Sequence, residues 1–263
     1  MPHPLNPTNK PVLLTLSGTG QNMWTGYAID VAHRVEDVWF VQPVSYGPGG
    51  VPAVWPMGRS AKSGVDEGVR LVLQEHSDAP GYSISGYSQG GGAAAMLLDE
   101  FRHGRLASFG DRLLGGVTFG SPFREKGSYA GAVDPGGRGI ADTRTVDTPA
   151  GWADYVDPGD IYANVPDNAV GDDMTLIYRL VWLDDAGDVL ALVAKLMRLL
   201  VSPLREFPSV VEALVRGIMF YGSKPRCAAH VEYHLRECPG TGMTYVEHAA
   251  RHLRQLGQQA AAA

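Results

Sequence analysis

The chain has 263 residues, 44% of them hydrophobic, and a formal net charge of −6 at pH 7. That length suits one large α/β domain or two small ones, with enough apolar material for a full core. The acidic balance argues against nucleic acid as a partner, because binders of nucleic acid carry a basic footprint.

Met1 to Pro11 is polar and proline-rich without an apolar core segment, so no secretory signal is expected. Pro11 to Leu16 is a β-rich run that empties into the glycine loop Ser17-Gly18-Thr19-Gly20-Gln21. Val38 to Val44 is a second strand candidate. Ser60 to Glu75 carries Val65, Val69, Val72 and Leu73 at a spacing that predicts a helix over the sheet. Tyr82 to Ser85 reads as a short buried strand, and the run from Gly91 to Leu98 opens a small-faced helix reaching about His103. Leu113 to Gly120 is a further buried strand. Gly131 to Ala150, rich in Gly, Pro, Asp and Thr, reads as a long surface loop. Trp152 to Val156 is another strand, ending in Asp157-Pro158-Gly159-Asp160. The alternation predicts an α/β fold whose central, mostly parallel sheet is flanked by helices. In such sheets the site lies at the carboxyl ends of the strands, where Thr19 and Ser88 would both emerge.

From about 173 to 222 the pattern becomes helical, broken by Pro203 and Pro208. It reads as a helical insertion within a single α/β domain spanning 1–263, packed against the body, with lipid contact as the alternative. Val189 to Val201, the longest apolar run, contains Lys195 and Arg198 and is too short to span a bilayer. No integral membrane segment is expected. Tyr245 to Leu256 predicts a C-terminal amphipathic helix, with His248 and His252 one turn apart as a surface-exposed pair. Cys227 and Cys238 are the two cysteines, so there is no disulfide framework; a mutual bridge and two free thiols both stay open.

Gly86-Tyr87-Ser88-Gln89-Gly90 carries the chemistry. As a bare pattern Gly-x-Ser-x-Gly is weak, but between a strand and a helix it predicts a nucleophile elbow with Ser88 at its tip. The helix start then aims backbone N–H groups at an anion forming there. A serine needs a base and an orienter, in this setting in the chain order Ser, Asp or Glu, His. Asp157 and Asp160 both follow a strand; Asp160 is favoured, because Asp157 before Pro158-Gly159 reads as a plain turn initiator. Among the histidines, His230 and His234 lie before the last helix, where the base belongs, and spacing does not choose between them. The oxyanion donors expected are the N–H groups of Gln89 and Thr19, with the Thr19 hydroxyl as a third.

Five segments together resemble the lysin B esterases of phages that infect mycobacteria. They are Ser17 to Gln21, Gly86 to Gly90, Phe119-Gly120-Ser121-Pro122-Phe123-Arg124-Glu125-Lys126-Gly127, Asp154 to Ala163, and His230-Val231-Glu232-Tyr233 with Pro239-Gly240. Gly-Tyr-Ser-Gln-Gly alone is shared with cutinases; the third and fourth segments are more specific. The resemblance implies a cutinase-like α/β-hydrolase that cleaves the ester between mycolic acids and arabinogalactan, detaching the host's outer membrane late in lysis. It places the nucleophile on Ser88, the acid on Asp160 and the base on His230, through His-x-x-Tyr followed by Pro-Gly, with His234 in reserve. It implies no metal or organic cofactor. The enzyme would be made in the host cytoplasm without a signal peptide and act at the envelope after release. The chain departs from larger members in leaving no room for an N-terminal peptidoglycan-binding domain. A general cutinase or lipase acting on other lipid or polymer esters is the alternative; a non-catalytic envelope-binding protein is a further one.

Overall fold

Strands β1 (Val12–Leu16), β2 (Phe40–Pro43), β3 (Tyr82–Tyr87), β4 (Leu113–Phe119) and β5 (Trp152–Tyr155) form one sheet in the computed structural model. Residues 10–53, 56–182, 224–225 and 227–262 are described. The strand order is β2-β1-β3-β4-β5, and every neighbouring pair is parallel. Parallel sheets need cover on both faces, and the side chains of β1 divide accordingly. Leu13 enters the core beneath α1 (Tyr27–His33) and the C-terminal helix, while Val12, Leu14 and Leu16 enter the core beneath α2 (Met57–Arg70) and α3 (Gln89–Arg102).

The strand order reverses between β1 and β3. The chain leaves β1 outward to β2, then builds β3, β4 and β5 on the other side. Helices α1 and α3 pack on opposite faces, so the loops after β1 and β3 diverge and open a crevice at the carboxyl edge. The loops bearing Thr19, Ser88 and Asp160 all leave this edge.

Several expectations are revised. The helix expected over Ser60 to Glu75 begins three residues earlier, at Met57, and its last turn, Leu71–Glu75, is widened to a π-helical turn. Helix α1 was not foreseen, because seven residues are too few to display a helical period. Residues 131–150 hold no helix or strand, only an isolated bridge from Arg138 to Val165. Helix α4 (Ala169–Trp182) opens the helical stretch expected for 173–222; residues 183–222 lie outside the described residues, with Val189–Val201, Pro203 and Pro208 among them. No helix among the described residues is long and apolar enough to cross a membrane. Cys227 and Cys238 are free thiols, and burial pushes Cys238 up to about 11.

The last helix runs Tyr245–Ala262, but its histidines are not a surface pair. His248 Nδ1 is 2.9 Å from the Tyr155 hydroxyl and His252 Nε2 donates to the Gly151 carbonyl at 3.0 Å. Both rings are half-buried against β5 and the turn before it, and burial depresses His248 below the ordinary histidine range.

Candidate active site

Ser88 stands between β3 and α3 with φ 56° and ψ −120°, a conformation that costs roughly 1–3 kcal/mol and persists only where its surroundings impose it. Here they do. The Ser88 N–H donates to the Phe119 carbonyl at 2.9 Å, and the Gly92 N–H donates to the Ser88 carbonyl at 3.1 Å. The motif's glycines are required by close approach. A Cβ on Gly90 would lie 2.0 Å from the Leu16 carbonyl oxygen, and one on Gly86 would lie 2.5 Å from that of Gly90.

His230 sits on a single helical turn, α5 (Ala228–Val231), whose cap residue Cys227 is left-handed with φ 58°. The imidazole bridges two partners: Nε2 is 2.8 Å from Ser88 Oγ, and Nδ1 is 2.8 Å from Asp160 Oδ2. A carboxylate only accepts, so Nδ1 carries the hydrogen and Nε2 is left to accept from the Ser88 hydroxyl. Asp160 is fully buried, and its Oδ1 accepts from the Tyr162 N–H at 3.0 Å. Two aromatic rings flank the imidazole. Tyr87 stacks at 5.1 Å, and its hydroxyl also donates to the His230 carbonyl at 3.0 Å; Tyr162 lies at 4.7 Å on a tilt.

Room for this pair comes from Gly120, at the end of β4, with φ 59°. A Cβ there would meet Asp160 Oδ2 and the His230 ring at 2.7 Å. Gly120→Ala is therefore expected to displace the imidazole and lower kcat/KM by about 10²-fold, the usual cost of a misplacement near 1 Å. Turnover of p-nitrophenyl butyrate at the wild-type rate would contradict this.

The competing candidates take other roles. Asp157 Oδ1 accepts from the Gly159 N–H at 2.8 Å, and its Oδ2 pairs with Arg236 at 3.0 Å, so it shapes the turn that delivers Asp160. His234 Nδ1 lies 2.7 Å from the Tyr27 hydroxyl, which itself donates to the Val231 carbonyl at 2.6 Å. With the phenol proton so committed, His234 is the donor to Tyr27 and braces the segment carrying His230. Burial pushes the Tyr27 hydroxyl up to about 12.

Thr19 and Gln89 are adjacent: Thr19 Oγ1 is 2.9 Å from Gln89 Oε1, while Gln89 Nε2 donates to the Met57 carbonyl at 3.1 Å. That second bond fixes the amide, so the Thr19 hydroxyl spends its proton on Gln89. It is not a free third donor, contrary to the sequence-based expectation. The backbone N–H groups of Thr19 and Gln89 have no acceptor among the described residues.

Arg124 was legible only as one letter of a motif. It is almost fully buried and donates to the carbonyls of Ala163 (2.7 Å), Gly136 (2.7 Å) and Ser128 (3.0 Å) and to Asn164 Oδ1 (3.1 Å). It thereby clamps the loop after Asp160 to the loop after β4. Tyr87, Tyr162 and Gly120 likewise acquire their roles only in the fold, because their partners are distant in sequence.

No protein-family model and no curated protein sequence matches the chain. Solved structures do. Lysin B from Mycobacteriophage D29 is similar at 25% identity and a TM-score of 0.62, over 94% of this chain and 100% of that one. A cutinase-like protein from Cryptococcus sp. matches at 16% identity and a TM-score of 0.42, over 59% of this chain and 79% of its own. The parallel sheet, the elbow and the likeness to lysin B make this an α/β-hydrolase fold and support a hydrolase of the esterase or lipase type.

Proposed function

We propose that the chain is a serine carboxylic-ester hydrolase that cleaves the ester between mycolic acids and arabinogalactan, acting at a mycobacterial-type envelope during phage release. The observation that carries the chemistry is the buried His230 imidazole, 2.8 Å from Ser88 Oγ on one side and from Asp160 Oδ2 on the other. The substrate rests on the likeness to lysin B across nearly the whole chain.

In this mechanism His230 Nε2 takes the Ser88 proton as Oγ attacks the ester carbonyl. Asp160 holds the imidazole in the productive tautomer and stabilises the imidazolium. The N–H groups of Thr19 and Gln89 bind the tetrahedral oxyanion, aided by the α3 N-terminus. The sugar hydroxyl leaves with the proton from His230, and water, activated by the same base, then frees the mycolic acid.

Removing one oxyanion donor typically costs about 10²–10³ in kcat. Thr19→Pro, which deletes the N–H, is expected to fall in that range while its melting curve shows a folded protein; kcat close to wild type would remove Thr19 from the role. For the substrate, mass spectrometry of lipids freed from mycolyl-arabinogalactan is compared with tributyrin hydrolysis. Wild type is expected to release free mycolic acids and Ser88→Ala none. Tributyrin turnover without mycolate release would favour a general cutinase or lipase.

A further inference from the structure

Asp160 Oδ2, which accepts from His230 Nδ1, also lies 2.6 Å from the Tyr233 hydroxyl. Tyr233 is fully buried, and its oxygen accepts from the Asp157 N–H at 3.3 Å. The phenol has one proton, and the carboxylate is its acceptor. Its ring is wedged among Tyr245, Phe119 and Tyr27, with centroids 5.1, 5.7 and 5.8 Å away, so the hydroxyl is held in place.

We infer that Tyr233 is a positioning residue of this hydrolase: sharing Asp160 Oδ2 with His230, it aims the carboxylate and sets how strongly that carboxylate holds the imidazolium. The inference rests on the proposed roles of Ser88, His230 and Asp160. A donor to the charged form spreads the carboxylate's negative charge, which leaves less of it to stabilise the imidazolium. Tyr233 thus limits how strongly Asp160 can hold the imidazolium that forms during turnover. Burial, with Asp160 beside it, raises the Tyr233 hydroxyl well above the phenol range, so it stays a donor at any working pH.

Among the described residues, the other charged or titratable groups facing the pair are Tyr27 from α1, Tyr87 from β3, Arg124 from the loop after β4, Asp157 and Tyr162 from the loop after β5, Cys227 at the start of α5, and Tyr245 from the last helix. None of their side chains hydrogen-bonds Asp160 among the described residues. Among the described residues, Tyr233 is the one side chain besides His230 that donates to that carboxylate.

Tyr233→Phe keeps the ring and deletes the proton. The acid limb of kcat/KM on p-nitrophenyl butyrate, which follows imidazole protonation in the free enzyme, is expected to move up by about 0.5–1 pH unit. Site-specific replacement of Tyr233 by 3-fluorotyrosine makes a stronger donor and is expected to move the limb down. Tyr245→Phe is the packing control: its hydroxyl serves the Val156 carbonyl at 3.0 Å, and the limb is expected to stay in place. A limb unmoved in both Tyr233 replacements, or moved equally in Tyr245→Phe, overturns the inference. Should Tyr233→Phe fail to fold, the fluorotyrosine enzyme decides alone, and absence of a downward shift overturns it. Retention of activity and profile in Ser88→Ala would instead strike the underlying triad, and this inference with it.

Discussion

Ser88→Ala is expected to lower kcat on a short p-nitrophenyl ester by about 10⁴-fold or more, with the fold intact. The magnitude follows from what the substitution removes. The oxyanion donors and the cleft survive, and in serine hydrolases these alone retain a residual rate far below the full mechanism. Stability should change little, because alanine keeps a Cβ at the same left-handed position and the elbow's backbone contacts remain. The combination of intact melting and lost turnover is what separates a nucleophile from a structural serine. Esterase activity near the wild-type level would remove Ser88 from the chemistry.

His230→Ala is expected to lose turnover about as completely as Ser88→Ala, since nucleophile and base act as a unit and their losses do not add. His234→Ala should leave turnover within a few fold. It removes the hydrogen bond to Tyr27, worth about 1 kcal/mol, and a tilted ring contact at 5.7 Å, while Tyr27 still ties the His230 segment through the Val231 carbonyl. The pair of variants is informative because the histidines are four residues apart and equally plausible by spacing. Equal losses in both, or loss in His234→Ala alone, would contradict the geometry of the site.

Much of the site was readable because its constraints are local. The elbow needs glycines two residues either side of Ser88, and the sequence displays both in a strand–helix frame. The strands were readable as short apolar runs ended by glycine or aspartate. Asp160 was separable from Asp157 because Asp-Pro-Gly reads as a turn, and Asp157 does bind the Gly159 N–H of that turn. What could not be read depends on contacts between distant segments. Arg124 meets Ala163, and Tyr233 meets Asp160, across 39 and 73 residues, so their meaning waits on the fold. Gly120 has no visible function until the ring and carboxylate it makes room for are in place. His248 and His252 show the same limit on a smaller scale. The helical period predicted their helix, but they flank the buried stripe of Tyr245, Ala249, Leu253 and Leu256, where a partner on β5 decides between exposure and hydrogen bonding. The Thr19 hydroxyl was misread because its partner is the side chain of Gln89, whose amide orientation is fixed by Met57.

The most direct test of the account is active-site phosphonylation. A fluorophosphonate reacts with a serine only when a neighbouring base activates it, so the labelled residue identifies the nucleophile independently of substrate. Peptide mass spectrometry of the treated wild-type protein is expected to place a single adduct on Ser88, with labelling lost in His230→Ala and kept in His234→Ala. An adduct on another serine, or persistent esterase turnover with Ser88 unlabelled, would contradict the assignment of Ser88 as the nucleophile.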